Sequence, residues 1–232
     1  MTIKKFTIEK NDFLDRAIEG FYALDYIKYK EERNPDFLVT LKNSSFNDHT
    51  KPEMMANDTR LIKAKDEVKK YIHTFLSCIK LNNNSIVVCV VPRSKADFSP
   101  EQLYFKKAVK ETVQEIGGFL DGTDCIKRIK NTFTTHKARV NCPNNDGDKP
   151  YPGITKETCR INREMIAGKF VVLIDDIYTK EANVDEDCIQ ALLDCGAREV
   201  LGFFAVAKTK KKDRMTENEL PVIDISDDEI PF

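Results

Sequence analysis

The chain has 232 residues, 41% of them apolar and 32% charged, with a formal net charge of −1. That length suits one α/β domain with extensions, or two small domains, and a chain this long buries enough surface to fold without staples. The balanced charge excludes a global attraction to nucleic acid, so any basic surface is a local patch, and no apolar run approaches the ~20 residues of a membrane span.

In chain order, the N-terminus MTIKKFTIEKND lacks the apolar core of a signal peptide. Phe13, Leu14, Ala17, Ile18, Phe21 and Tyr22 recur at helical spacing, and Leu24 to Tyr29 reads as a strand or a continued helix. Asn34-Pro35 breaks this pattern, and Phe37 to Leu41 reads as a strand. The polar stretch Asn43 to Asp58 is turn-rich. Residues 59–80 read as a helix with Leu61, Ala64, Val68, Tyr71, Ile72, Phe75 and Ile79 on one face, ended by Asn82-Asn83-Asn84.

Ser85 to Val91 is a short apolar run of the kind a buried parallel strand needs. It runs into Pro92-Arg93-Ser94-Lys95, where two cations and a hydroxyl on a tight turn suit a phosphate. Ser99-Pro100 then opens a helix that continues through Leu103, Phe105, Ala108, Val109, Val113 and Ile116 to Gly117-Gly118. The segment Cys125 to Arg139 is basic and holds no acid; Asn141 to Pro152 reads as a mobile loop. The seven cysteines include no C-x-x-C pair and have mostly apolar neighbours, as expected of reduced thiols in a cytoplasmic protein.

Phe170 to Ile174 is a second buried strand, and it ends in two acids, Asp175 and Asp176. A short loop follows, then Val184, Ile189, Leu192 and Leu193 at helical spacing, and a last strand over Val200 to Ala207. A strand–loop–helix unit puts polar groups at the carboxyl end of a sheet, where open α/β folds bind ligands. The loop also aims free N–H groups of the helix N-terminus at an anion.

The run Val171 to Asn183 resembles the thirteen-residue PRPP signature of the type I phosphoribosyltransferases. That signature has four apolar residues, two acids, an apolar residue, any residue, and a Thr-Thr-Gly-x-Thr loop. The resemblance implies that Asp175 and Asp176 hold the ribose hydroxyls of phosphoribosyl pyrophosphate (PRPP). It implies that Thr179, Lys180, Glu181, Ala182 and Asn183 wrap the 5′-phosphate, and that Arg93, Ser94 and Lys95 hold the pyrophosphate. It also implies Mg²⁺ at Asp175 and Asp176, through the ligand or water. The basic segment resembles the hood loop of the ComF-type competence proteins, a branch of that family, with His136 near the branch's Gln. Arg128, His136 and Arg139 would then form a catalytic lid that stabilises departing pyrophosphate. No residue stands out as a general base.

The loop departs from the signature: Lys180 stands for the second Thr, Glu181 for the Gly and Asn183 for the last Thr. A carboxylate ~5 Å from a singly charged phosphate costs on the order of 3 kcal/mol at an effective dielectric near 20. Asp185, Glu186 and Asp187 favour the helix dipole but compete with an anion for it.

The final residues, Asp227-Asp228-Glu229-Ile230-Pro231-Phe232, resemble the C-terminal tip of bacterial single-stranded DNA-binding proteins. That tip is a docking peptide for replication, recombination and repair enzymes. A terminal Phe offers a ring and a carboxylate to a basic-rimmed pocket, and Pro231 limits the entropy lost on binding.

The expected fold is α/β: a Rossmann-like parallel sheet of the type I phosphoribosyltransferase fold with an N-terminal α/β extension. Residues 1–84 form the extension, mainly helical; residues 85–208 the phosphoribosyltransferase-like domain; residues 209–232 a tether and docking tail. The expected function is a phosphoribosyltransferase-like protein of bacterial DNA metabolism (uptake, recombination or anti-phage defence) that binds PRPP or a related ribose phosphate with Mg²⁺. The alternative is a non-catalytic accessory factor with a degenerate PRPP site. It would bind single-stranded DNA through the basic segment and use its tail to recruit, or compete for, partners of the single-stranded DNA-binding protein.

Overall fold

The computed structural model describes residues 1–27, 32–42, 58–80, 86–133 and 158–210. Two strands open the chain, β1 (Lys4–Ile8) and β2 (Ile18–Tyr26), followed by helices α1 (Asp36–Lys42) and α2 (Asp58–Ser77). Strand β3 (Ile86–Val90) and helix α3 (Tyr104–Ile116) come next, then β4 (Phe119–Gly122) and β5 (Ile126–Arg128). The chain continues through β6 (Cys159–Ile161), α4 (Arg163–Ile166), β7 (Phe170–Tyr178), α5 (Val184–Asp194) and β8 (Glu199–Thr209). The main sheet has the order β1-β2-β8-β7-β3-β4; β5 and β6 form a separate antiparallel pair. Strands β2, β8, β7, β3 and β4 are parallel, and β1 runs antiparallel at one edge. The molecule is thus a mixed α/β fold on a mostly parallel sheet, compatible with a Rossmann-like arrangement. No helix among the described residues is long and apolar enough to cross a membrane.

Both faces of the sheet are covered, which is why β3 and β7 read as unbroken apolar runs rather than alternating ones. On one face Val88, Val172, Ile174 and Phe204 pack against α1, α2 and α3; Phe75 of α2 stacks on Phe204 with ring centroids 4.5 Å apart. On the other face Val87, Val171, Leu173 and Phe203 pack against Ile189 and Leu192 of α5 and against Ile126 of β5. Burying each such side chain contributes roughly 1.5–3 kcal/mol. Five of the six described cysteines are buried, and Cys78 is half-buried.

Helix α3 follows the expected signals. A 3₁₀ turn over Pro100–Leu103 precedes it, with the Gln102 side chain accepting from the Ser99 N–H at 2.9 Å. It ends at Gly117, whose φ of 70° suits a residue without Cβ, and the Gly117 N–H closes the last turn on Val113 O at 3.2 Å. Against α2 it is tied by Lys65 and Lys69, which pair with Glu111, and by the Lys69–Glu115 pair at 2.6 Å.

Two expectations for the first sixty residues are corrected. The helical spacing of Phe13 to Tyr22 belongs instead to a loop and strand β2. The Asn11 carboxamide accepts from the N–H groups of Phe13 and Leu14, at 2.8 and 3.0 Å, and so turns the chain before a helix can start. Ile18 to Tyr26 then pairs with both β1 and β8, and this long-range pairing outweighs the local period. Gly20 faces Phe6 across the β1–β2 pair, where a Cβ would lie 2.5 Å from Phe6 Cζ. The second correction concerns Phe37 to Leu41, which is helix α1 rather than a strand. Pro35 O accepts from Leu38 N and Val39 N at 3.0 and 3.2 Å, Leu38 and Leu41 point into the core, and Phe37 stacks on Tyr71 at 5.6 Å.

Candidate functional site

Strands β3 and β7 are parallel neighbours, with Val90 opposite Ile174 and the Val91 N–H donating to Ile174 O at 3.0 Å. Strand β3 therefore ends opposite Ile174, while β7 runs on through Asp175 and Asp176 to Tyr178, and the turn Pro92 to Lys95 stands beside the two acids. Arg93 feels the charge of both acids, Asp176 more strongly. This turn is well braced. Arg128 Nε donates to Arg93 O at 2.9 Å, Thr132 N and Oγ1 donate to Ser94 O at 2.8 and 3.1 Å, and Ala96 N donates to Asn131 Oδ1 at 2.8 Å. Arg93 itself is exposed, and its Nη1 donates to Gln102 O at 3.2 Å.

Arg128 was expected on a lid. It lies instead in β5, buried, with its guanidinium holding the backbone of the β3 turn. Its role in the fold is to position Arg93 to Lys95. His136 and Arg139 lie outside the described residues, as do Asp227 to Phe232.

Past β7, the loop adopts a 3₁₀ turn over Lys180–Ala182 with Thr179 at its head. Ala182 N donates to Thr179 O at 2.8 Å, so this amide is closed on the turn rather than aimed at a ligand. Asn183 takes the left-handed conformation, φ 51° and ψ 16°, the one non-glycine residue with positive φ among those described. Asn tolerates that region better than most residues. Its Oδ1 accepts from Asn11 Nδ2 at 3.1 Å, which ties the loop to the turn before β2. Lys180 and Glu181 are exposed; Thr179 and Ala182 are half-buried.

Behind the loop, the first turn of α5 holds three buried acids, Asp185, Glu186 and Asp187. The Asp185 carboxyl lies close enough to Asp175 for each to feel the other's charge. Burial, and then the charge of Asp176, push Asp175 up to about 8. Burial and the charge of Asp175 push Asp185 up as well. At neutral pH the Asp175–Asp185 pair therefore keeps a proton. Glu186 Oε1 accepts from Tyr178 Oη at 2.7 Å. Burial raises Glu186, a shift that this hydrogen bond opposes; burial and the Glu186 charge raise Tyr178. Lys42, at the end of α1, adds positive charge near Asp175 from the other face.

The sequence reading missed three things: the burial of Asp185 and Glu186, the approach of Lys42, and the bracing role of Arg128. Three consecutive acids at a helix start are visible in the sequence, but whether they face solvent depends on the sheet beneath. An acid pair in which one member is protonated can both donate to and accept from adjacent hydroxyls. The donor set also suits a magnesium ion held by one or two carboxylates plus ligand oxygens, in preference to a protein cage; no group of three metal-ligating side chains occurs among the described residues. The arrangement thus offers hydroxyl-binding acids between two cation-bearing loops. No protein-family model matches the chain, and no curated protein matches it.

Proposed function

We propose that this protein binds PRPP or a related ribose phosphate with Mg²⁺ at the carboxyl ends of β3 and β7, as a phosphoribosyltransferase-like protein of bacterial DNA metabolism. The observation that carries this reading is the parallel β3–β7 pair, which sets Arg93 to Lys95 beside Asp175 and Asp176. Asp175 and Asp176 bind the ribose hydroxyls, the β3 turn takes the pyrophosphate, and the 179–183 loop meets the 5′-phosphate. Magnesium, when bound, neutralises the pyrophosphate. The ComF-type resemblance of the basic segment and the tail resemblance supply the DNA context.

The test is a thermal-stability titration with PRPP and Mg²⁺. A ligand that binds only the folded state raises the melting temperature by mass action. A rise that disappears in the double variant Asp175→Asn, Asp176→Asn supports the reading. No rise at millimolar PRPP removes it.

A second reading is favoured by Glu181, by the closed 3₁₀ turn and by the buried acids of α5, all of which disfavour an anion in the loop. In it the site is degenerate and the protein is a non-catalytic accessory factor. It meets single-stranded DNA through its basic segment and recruits, or competes for, partners of the single-stranded DNA-binding protein.

A further inference from the structure

On the β8 side of the 179–183 loop lies a cleft of about 330 Å³, lined by Tyr178, Thr179, Lys180, Glu181, Lys208, Thr209 and Lys210. Asp175 and Asp176 do not line it. Lys208 is half-buried, its ammonium 5.1 Å from the Phe6 ring centroid and 5.4 Å from that of Tyr22. Lys4 reaches the same Tyr22 ring at 5.5 Å. Asp25 holds two of the neighbouring cations, with Lys210 at 3.0 Å and Lys4 at 3.6 Å. Thr209 Oγ1 donates to Tyr178 O at 3.2 Å, which closes the back of the cleft.

Three lysines, Lys180, Lys208 and Lys210, thus line a cleft with one lining carboxylate, Glu181; Lys4 and Asp25 stand beside it and Glu186 behind Tyr178. Asp25 balances part of this positive charge through Lys4 and Lys210. Burial, and the charges of Lys210, Lys180 and Lys4, make the Lys208 ammonium easier to deprotonate than an ordinary one, against the pull of Asp25. An anion placed among these groups relieves that repulsion. The aromatic rings fix the Lys208 stem, so little side-chain entropy remains to be lost when the ammonium takes a ligand.

We infer that the Lys180–Lys208–Lys210 cleft is a binding site for a phosphoryl group of a small phosphorylated molecule, separate from the carboxylate site at Asp175 and Asp176. Three lining lysines against one lining carboxylate suit an anion, and about 330 Å³ holds a phosphate with one sugar-sized substituent. The cleft shares Thr179, Lys180 and Glu181 with the loop given above to the 5′-phosphate, but Lys208 and Lys210 of the β8 side belong to the cleft alone, so Lys208→Gln separates this inference from the ribose-phosphate reading.

Calorimetric titration of the full chain with inorganic phosphate at low ionic strength tests it. Saturable binding is expected, weakened about tenfold or more by Lys208→Gln and by Lys180→Gln. Lys180 is exposed, so its variant answers the question even where Lys208→Gln disturbs packing. Binding should persist in the double variant Arg93→Gln, Lys95→Gln and in Asp175→Asn, Asp176→Asn. Absence of binding at millimolar phosphate overturns the inference. So does wild-type affinity in Lys180→Gln, or loss of binding in the Arg93, Lys95 variant alone, which would place the anion at the β3 turn.

Discussion

The carboxyl group of Asp185, buried in the first turn of α5, faces that of Asp175 within β7, close enough for each to feel the other's charge. Two acids this close cannot both ionise cheaply in a buried setting, so the pair keeps a proton.

This pair makes stability fall as pH rises. Asp175 goes from its ordinary 3.8 to about 8 on folding, and Asp185 moves the same way. Between about pH 4 and pH 8 the folded chain keeps protons that the unfolded chain has released, so that contribution to stability is full below the window and lost above it. Asp185→Asn removes one of the competing charges and leaves an amide donor for Asp175. Thermal melts should show the variant gaining on the wild type with pH, reaching on the order of 1–2 kcal/mol, or roughly 3–6 °C, near pH 8.5. Parallel pH profiles for the two proteins would mean that no proton is shared.

Glu181 stands where the resemblance places a glycine, on an exposed 3₁₀ turn. Replacing it by glycine removes a negative charge from the loop and frees the backbone to open toward a phosphate. The affinity of Glu181→Gly for PRPP with Mg²⁺ should rise about tenfold or more. Calorimetry that finds equal or weaker binding would move the 5′-phosphate away from this loop.

Gly122 lies in β4 opposite Cys89 of β3. A Cβ there would overlap Val87 Cγ1 and lie 2.9 Å from Val88 O and 3.0 Å from Cys89 Sγ. The carbonyl belongs to the sheet backbone and has no room to yield. Gly122→Ala should destabilise the fold by about 1–3 kcal/mol through overpacking, visible as a lower urea midpoint with an unchanged slope. A midpoint equal to that of the wild type would show that β3 and β4 can separate locally.

The tail carries a separate prediction. Truncation before Ile230 removes the apolar and carboxylate groups that a tip-binding pocket would recognise. Pull-down of enzymes that bind the single-stranded DNA-binding protein should then be abolished. Equal recovery with and without these residues would discard the tail argument.

Much of the fold is written locally. The runs around β3 (Ile86–Val90) and at the start of β7 (Phe170–Tyr178) are too short and too β-branched for helices, and both are interior strands of the sheet. The period of Leu61 to Phe75 is that of α2, and Gly117 ends α3 where a residue with positive φ is needed. The cationic turn after β3 and the loop before α5 were legible for the same reason, each depending on neighbours a few residues away; the strand expected to end at Ile174 instead runs through both acids to Tyr178, because β8 continues to pair with it.

What tertiary structure decided lies between distant residues. Ile18 to Tyr26 carries a period that suits a helix, and pairing with β8 made it a strand. Phe37 to Leu41 is β-branched enough for a strand, and packing on Tyr71 beneath a turn at Pro35 made it a helix. The sequence by itself determined that Asp185 and Glu186 begin a helix; only the sheet beneath determined that they are buried against Asp175 and Tyr178. Likewise, Lys4 and Lys208 are two hundred residues apart, and they share the Tyr22 ring because β2 sits between β1 and β8. Local propensity acts over a turn or a strand, whereas strand order and burial follow from the pairing that covers the most apolar surface and satisfies the most backbone groups.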